Sequence, residues 1–388
     1  MTETKDPVVI ASAVRTPIGS FQGALKSEAA TALGAVAIRH AVARAKLTPD
    51  QIDEVIMGCV LPAGLGQAPA RQAAIHAGLP IDTPCSTVNK VCGSGMKTIM
   101  FGTDLIAAGS ANIVVAGGME SMTNAPYLLD KARGGYRAGH GQIYDHMFLD
   151  GLEDAYDKGR AMGTFAEETA QHYQFAREQQ DEFALRSLSR ALKATEQGRF
   201  RNEMIPIGDL DRDEQPTRAK PEKIPLLKPA FRESGTVTAA NSSSISDGAA
   251  AITLMRLSTA EKIGAEPLAI IRGHSSHAQQ PAWFTTAPVA AMTKLFEKTG
   301  WAASDIDLFE INEAFAVVVM AAMRELDLPA DKVNIHGGAC AVGHPIGCSG
   351  TRIVTTLLHA MQQNGLKRGM ASICIGGGEA TAVALEAL

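Results

Sequence analysis

The chain has 388 residues, 46% hydrophobic, 20% charged and 5% aromatic, a globular composition that argues against disorder and sets a prior of two or three domains. Its 36 Lys and Arg against 41 Asp and Glu give a net charge of −5, which argues against a nucleic-acid scaffold or a polybasic membrane binder. Six cysteines are too few for a disulfide scaffold, and the absence of Cys-x-x-Cys and His-Glu-x-x-His argues against a metal site.

The opening MTETKDPVVI reads as neither a signal peptide nor a transit peptide. Residues 8–14, apolar except for Ser12, read as a buried strand closed by Arg15-Thr16-Pro17. Residues 28–46 carry apolar positions at helical spacing. Residues 52–60 read as a second strand, followed by a helix over 69–78 with Gly78 as its C-cap. This alternation predicts an α/β fold around a buried, mostly parallel sheet. Residues 165–197 form one long helical pattern, and 209–234 a Pro- and charge-rich loop. The longest apolar run, 314–323, stops at Arg324, well short of the ~20 residues that span a bilayer. The terminal Glu386-Ala387-Leu388 is no peroxisomal address, so no membrane partner and a cytoplasmic location are expected.

An internal repeat reorganises these elements. Gln51–Met57, then Val91-Cys92-Gly93-Ser94-Gly95, then Ile113–Gly118 matches Asp305–Ile311, then Gly347-Cys348-Ser349-Gly350, then Ile373–Gly378. Asp53 to Cys92 is 39 positions and Asp307 to Cys348 is 41; Cys92 to Gly117 is 25 and Cys348 to Gly376 is 28. Two halves of one design follow, with a site expected where they meet. Residues 121–247 lie outside the repeat and are too long for a connection, so they read as an inserted loop domain. The expected division is 1–120 as the N-terminal half, completed by about 248–267, then 121–247, then 268–388 as the C-terminal half.

Four positions carry candidate chemistry. Cys92 stands at the start of a helix, where unpaired N–H groups and the macrodipole would lower its pKa; local sequence reads equally as a packed cysteine behind a turn. Cys374 ends an apolar strand before three glycines, whose N–H groups suit an oxyanion; alone it reads as a buried strand cysteine. His344 lies in a glycine-rich loop where its imidazole is expected to face a cleft. Asn312 ends a strand, as a cap or as a holder of water or a carbonyl.

Together Val91–Gly95, Gly117–Met122, Asn312-Glu313-Ala314-Phe315, Gly343-His344-Pro345-Ile346-Gly347 and Cys374–Gly378 resemble the thiolase family over nearly the whole chain. The resemblance implies a duplicated α/β fold in five layers, α-β-α-β-α, with an inserted loop domain. It implies a homotetramer built as a dimer of dimers, acting on acyl-CoA and CoA with no further cofactor. It makes Cys92 the nucleophile, His344 its activator, Cys374 the second acid/base, and Asn312 the holder of a water in one oxyanion hole. The Cys92 and Gly376 N–H groups would form the other. Ala239 and Ser243 would contact pantetheine, Phe231 the adenine and Arg218 a phosphate, with Met162, Phe284 and Phe315 near the ligand. The reaction implied is reversible condensation of acyl-CoA with acetyl-CoA, or thiolysis of 3-ketoacyl-CoA. A ketoacyl-synthase-like enzyme, with one Cys, and a non-catalytic acyl-CoA binder are the alternatives. The chain departs from the family's usual residues at Ala161, Ala240, Ser244, Trp283-Phe284 and Glu379-Ala380. Acyl-chain preference is therefore open.

Overall fold

The computed structural model describes residues 6–388; residues 1–5, part of the stretch read for a leader, lie outside the described residues. The chain runs β1 (Val8–Arg15), a short β2 (Gly19–Ser20), α1 (Ala30–Arg44), β3 (Glu54–Gly58), α2 (Pro69–Ala77), β4 (Cys85–Val88), α3 (Ser94–Ala108) and β5 (Ile113–Ser121). A long insertion follows, with β6 (Tyr127–Leu128), β7 (Tyr144–Asp145), α4 (Met162–Tyr173), α5 (Arg177–Glu196) and α6 (Glu214–Arg218). Next come β8 (Ser246–Arg256), α7 (Leu257–Ile263), β9 (Ala269–Ala278), α8 (Ala287–Thr299) and β10 (Leu308–Ile311). The chain closes with α9 (Ala316–Glu325), α10 (Ala339–Val342), α11 (Ile346–Asn364), β11 (Arg368–Ile375) and β12 (Glu379–Ala387).

Nine strands join edge to edge in the order β10-β11-β12-β9-β1-β8-β5-β3-β4. The two ends of this order are copies of each other. In one, β4 and β5 flank β3 in parallel, and β8 and β1 follow antiparallel. In the other, Val333 and β11 flank β10 in parallel, and β12 and β9 follow antiparallel. The copies meet at β1 and β9 through Val9 and Ile10. The sheet is therefore mixed, not mostly parallel as the helix–strand alternation suggested. Two strands account for the difference. β12 follows β11 after only Gly376–Gly378, and a turn that short returns the chain antiparallel. β8 enters from the insertion, not from a helical crossover.

Three apolar contacts stack the layers. Helices α1 and α2 cover the β1/β3/β5/β8 sheet around Leu33, Ile38, Ala73 and Val115. Helices α8 and α9 cover the other sheet around Ala291, Leu295 and Val319. Between the sheets lie α3 and α11, packed on both through Met96, Ile99, Ile353 and Leu357. All eight residues of β1 are buried, which is why apolar residues fill both of its faces apart from Ser12 and Arg15.

The insertion differs from its sequence reading. The helical pattern over 165–197 is two helices, not one: Gln174 adopts a left-handed φ of +54°, and the N–H of Phe175 turns back to the Ala170 carbonyl at 2.9 Å. The region 209–234 is not all loop, since it holds α6 and a 3-10 turn over Pro221–Leu226.

Buried charge fastens the insertion to the sheet. The Arg15 guanidinium at the end of β1 is 1% exposed and donates to Glu203 Oε1 at 2.5 Å and to Asp213 Oδ1 at 2.6 Å. The Ile18 N–H also reaches Asp213, at 2.9 Å. Removing one member of such a buried set leaves uncompensated charge. Arg15→Met is expected to destabilise the protein by ~3–5 kcal/mol, read as a lower urea midpoint. A midpoint within error of wild type would show that the two carboxylates do not need the guanidinium.

Candidate active site

The two central helices set the geometry. A Cβ on Gly95 would lie 2.9 Å from the Thr351 nitrogen, and one on Gly350 would lie 2.3 Å from the Met96 nitrogen. Only glycine at both positions lets α3 and α11 approach this closely. Thr351 Oγ1 seals the contact by donating to the Gly95 carbonyl at 2.8 Å. The turns entering these helices carry Cys92 and His344, so close helix packing brings the two residues to one cavity.

That cavity is about 410 Å³ and is lined by Cys92, His344 and Gly376. Met162, Phe231, Ala239, Ser243, Phe284 and Phe315 also line it, so the structure gathers most of the sequence-predicted set. Cys374, 1% exposed at the end of β11, lies behind the aromatic wall in the cluster of Phe165, Phe284 and Phe315. Asn312 is fully buried, and its Nδ2 lies 3.4 Å from His344 Nε2.

Phe231 and Arg218 line different cavities. Phe231 packs edge-to-face on Phe315, with ring centroids 6.0 Å apart, in the wall of the catalytic cavity. Arg218 is outside this cavity; it lines an adjoining one of about 300 Å³ with Lys220 and Lys223, and its Nη1 donates to Glu214 Oε1 at 2.7 Å. Gln215 and Ala239 line both cavities and join them.

The electrostatics correct the sequence expectation for Cys92. Burial pushes its thiol up to about 11, against the opposing pull of the Gly376 N–H and its own N–H. The residue lies ahead of the helix, with Gly93 as N-cap, and packs among Met122, Leu152, Ile245 and Ile346. Desolvation in that apolar setting outweighs the helix start. Burial also raises the Cys374 thiol, and a charge on Cys92 would raise it further. Both thiols rest protonated.

His344 is pushed down to about 3, first by burial and then by the Arg352 guanidinium, so it rests neutral. Its tautomer follows from one hydroxyl. Ser349 Oγ donates to the Pro345 carbonyl at 2.9 Å, which commits its only hydrogen. It lies 2.5 Å from His344 Nδ1 and must accept there, so Nδ1 carries the proton. Nε2 is the bare nitrogen, available as a base. Asn312 Oδ1 is buried without a protein partner, an acceptor that a water or substrate donor would satisfy.

Sequence reasoning missed three supports. Ser349 sits five positions after His344, in the first turn of the helix that follows it, and that spacing was a usable signal. Glu120 accepts from the N–H groups of Val60, Leu61 and Gly347 at 2.9–3.1 Å, tying both halves beneath the site. Glu313 accepts from Ser187, Asn334 and the Cys340 N–H at 2.7–3.0 Å, holding the loop before His344. Their partners come from distant segments, so nothing local marks them. Among the described residues, no group of three or more His, Cys, Asp or Glu is arranged to hold a metal ion.

Residues 8–258 match the family model described as thiolase, N-terminal domain, and residues 265–387 the model for thiolase, C-terminal domain. The chain is 49% identical to an acetyl-CoA acetyltransferase of Escherichia coli strain K12, over 98% of this chain and 99% of that one. It is 48% identical to a probable acetyl-CoA acetyltransferase of Dictyostelium discoideum, over 99% and 94%. Its fold superposes with a TM-score of 0.95 on the crystal structure of the Acat5 thiolase from Ascaris suum in complex with coenzyme A. That alignment has 43% identity and covers 98% of this chain and all of that one.

Ser349→Ala removes the acceptor for His344 Nδ1–H. A buried donor left unmet costs ~1–3 kcal/mol, which corresponds to a roughly 5- to 160-fold loss of kcat/KM. Ser349→Thr, which keeps the hydroxyl, should recover most of it. Nitrogen NMR of the imidazole reads the tautomer directly; an unchanged Nδ1–H tautomer in Ser349→Ala would remove this role from Ser349.

Proposed function

The chain belongs to the thiolase family, and from that premise we propose how its residues divide a reversible acetyl transfer between CoA thioesters. One observation supports the division above the rest: a single cavity collects Cys92 and Gly376, from opposite halves, with a neutral imidazole of fixed tautomer.

His344 Nε2 takes the Cys92 proton as the sulfur attacks the thioester carbonyl. The Cys92 and Gly376 N–H groups receive the oxyanion, as preorganised donors do in acyl transfer. CoA leaves with a proton from Cys374, so the acetyl-Cys92 state holds a Cys374 thiolate and a protonated His344. The thiolate then removes the Cα proton of a second acetyl-CoA. Protonated His344, with a donor held on Asn312 Oδ1, stabilises the enolate oxygen. The enolate attacks acetyl-Cys92, the sulfur recovers its proton from His344, and all three groups return to their resting states. Thiolysis runs the same steps backward.

The substrate's pantetheine arm runs past Ala239 and Ser243, and its nucleotide end meets Arg218, Lys220 and Lys223 in the adjoining cavity. Two surfaces support a homotetramer. β4 is an open sheet edge, and the segment around β6 and β7 exposes Tyr127, Leu129 and Ile143. Six free cysteines support a reducing, cytoplasmic location. Among the described residues no helix is long and apolar enough to cross a membrane.

Cys92→Ala should abolish labelling by acetyl-CoA and all turnover. Cys374→Ser should still acquire acetyl on Cys92, while thiolysis of acetoacetyl-CoA falls by at least ~10²–10⁴-fold, the usual worth of general acid–base catalysis. Near-normal thiolysis in Cys374→Ser would move the proton shuttle elsewhere. Light scattering is expected to return about four times the 40.8 kDa chain mass; a monomer at micromolar concentration would refute the tetramer.

A further inference from the structure

Two loops carry the two donors of the oxyanion site, and both contain left-handed backbone, at Val91 in one and at glycines in the other. In the first, Val91 immediately precedes Cys92 with a left-handed φ of +45°. That region is sparsely allowed for a β-branched residue and persists only where its surroundings over-determine it. The surroundings are visible. Asn89 Oδ1 accepts from the Val91 N–H at 2.9 Å, and Ser94 Oγ donates to the Val91 carbonyl at 2.6 Å. The Lys90 N–H donates to Ser94 Oγ at 2.8 Å. In the second loop, Gly377 and Gly378 have φ of +89° and +90°, directly after the Gly376 whose N–H faces the Cys92 sulfur.

The loops touch. A Cβ on Gly93 would lie 2.3 Å from Ile375 Cδ1, and one on Gly376 would lie 3.9 Å from Val91 Cγ1. One ion pair crosses between them: the Lys90 ammonium meets the Glu379 carboxylate, with side chains 21% and 36% exposed. Lys90 is two residues before Cys92, and Glu379 is three after Gly376. Neither side chain lines the catalytic cavity. An exposed pair of this kind adds little to global stability, yet this one links the two loops that carry the Cys92 N–H and the Gly376 N–H.

We infer that the Lys90–Glu379 ion pair is a positioning brace that holds the strained Val91 turn against the triple-glycine turn, keeping the two oxyanion donors in register. The inference rests on the roles given above to Cys92 and Gly376.

The test uses Lys90→Met, Glu379→Gln, Lys90→Glu, Glu379→Lys and the charge-swapped double variant of the full-length protein. Thiolysis of acetoacetyl-CoA and alkylation of Cys92 by iodoacetamide against pH are measured for each. Deleting an oxyanion donor outright costs ~10²–10³ in kcat, so a loosened donor should cost roughly tenfold in kcat with KM nearly unchanged. The alkylation profile should move to higher pH, because the Gly376 N–H no longer favours the thiolate. The other groups bearing on that profile are Glu120, Cys374 and His344, all retained in every variant. Lys97, which feels both Lys90 and Glu379, is also retained. The swapped double variant should recover both readouts. Wild-type kcat and alkylation in Lys90→Met and Glu379→Gln would overturn the brace, as would a double variant as impaired as the singles. A wild-type protein with no thiolysis would instead refute the proposed function, and the alkylation series would still decide whether the pair registers Gly376 on Cys92.

Discussion

Everything at the catalytic cavity depends on the close contact of α3 with α11. These helices come from opposite halves of a duplicated fold, and each is entered by the turn that carries one reacting residue. Gly95 and Gly350 remove the side chains that would hold the helices apart. Thr351 then satisfies the Gly95 carbonyl inside the contact. A methyl group at either glycine would push the helices apart, and with them the turns that carry Cys92 and His344.

Around that contact the protein uses buried polar groups as ties between distant segments. Arg15 anchors the insertion to β1 through Glu203 and Asp213. Glu313 joins α5 to the loop before His344. Glu120 joins the ends of β3 and β5 to the first turn of α11, and burial pushes its carboxyl up to about 7. Such groups are costly to bury unless every partner is present. They therefore specify one arrangement of insertion and halves more sharply than the Ala- and Val-rich core around them could.

The apolar setting of the cavity has a chemical consequence. Desolvation keeps both thiols protonated and His344 neutral, so the resting site carries no standing ion pair. The Gly376 N–H and the residue's own N–H still pull the Cys92 thiol down, against that burial.

The sequence by itself determined the duplication, the choice of Cys92, His344 and Cys374 as the candidate reacting residues, and the existence of a long insertion. Those features are written in local strings: matched strand–turn–helix segments at matched spacing, glycines flanking a thiol, a histidine in a glycine-rich loop. It placed Gly78 as a C-cap for the same reason, because a left-handed turn there needs only the residue in hand. Tertiary structure alone decided the mixed strand directions, the break at Gln174, the position of Phe231 in the cavity wall and the raised pKa of Cys92. Each depends on what packs against the segment from far along the chain. The helix-start argument for Cys92 used one element and omitted the apolar wall of Met122, Leu152 and Ile346, which comes from three others. Glu120 and Arg15 were illegible for a related reason: a buried polar residue acquires its role only from partners that folding brings to it, and no window of sequence contains both.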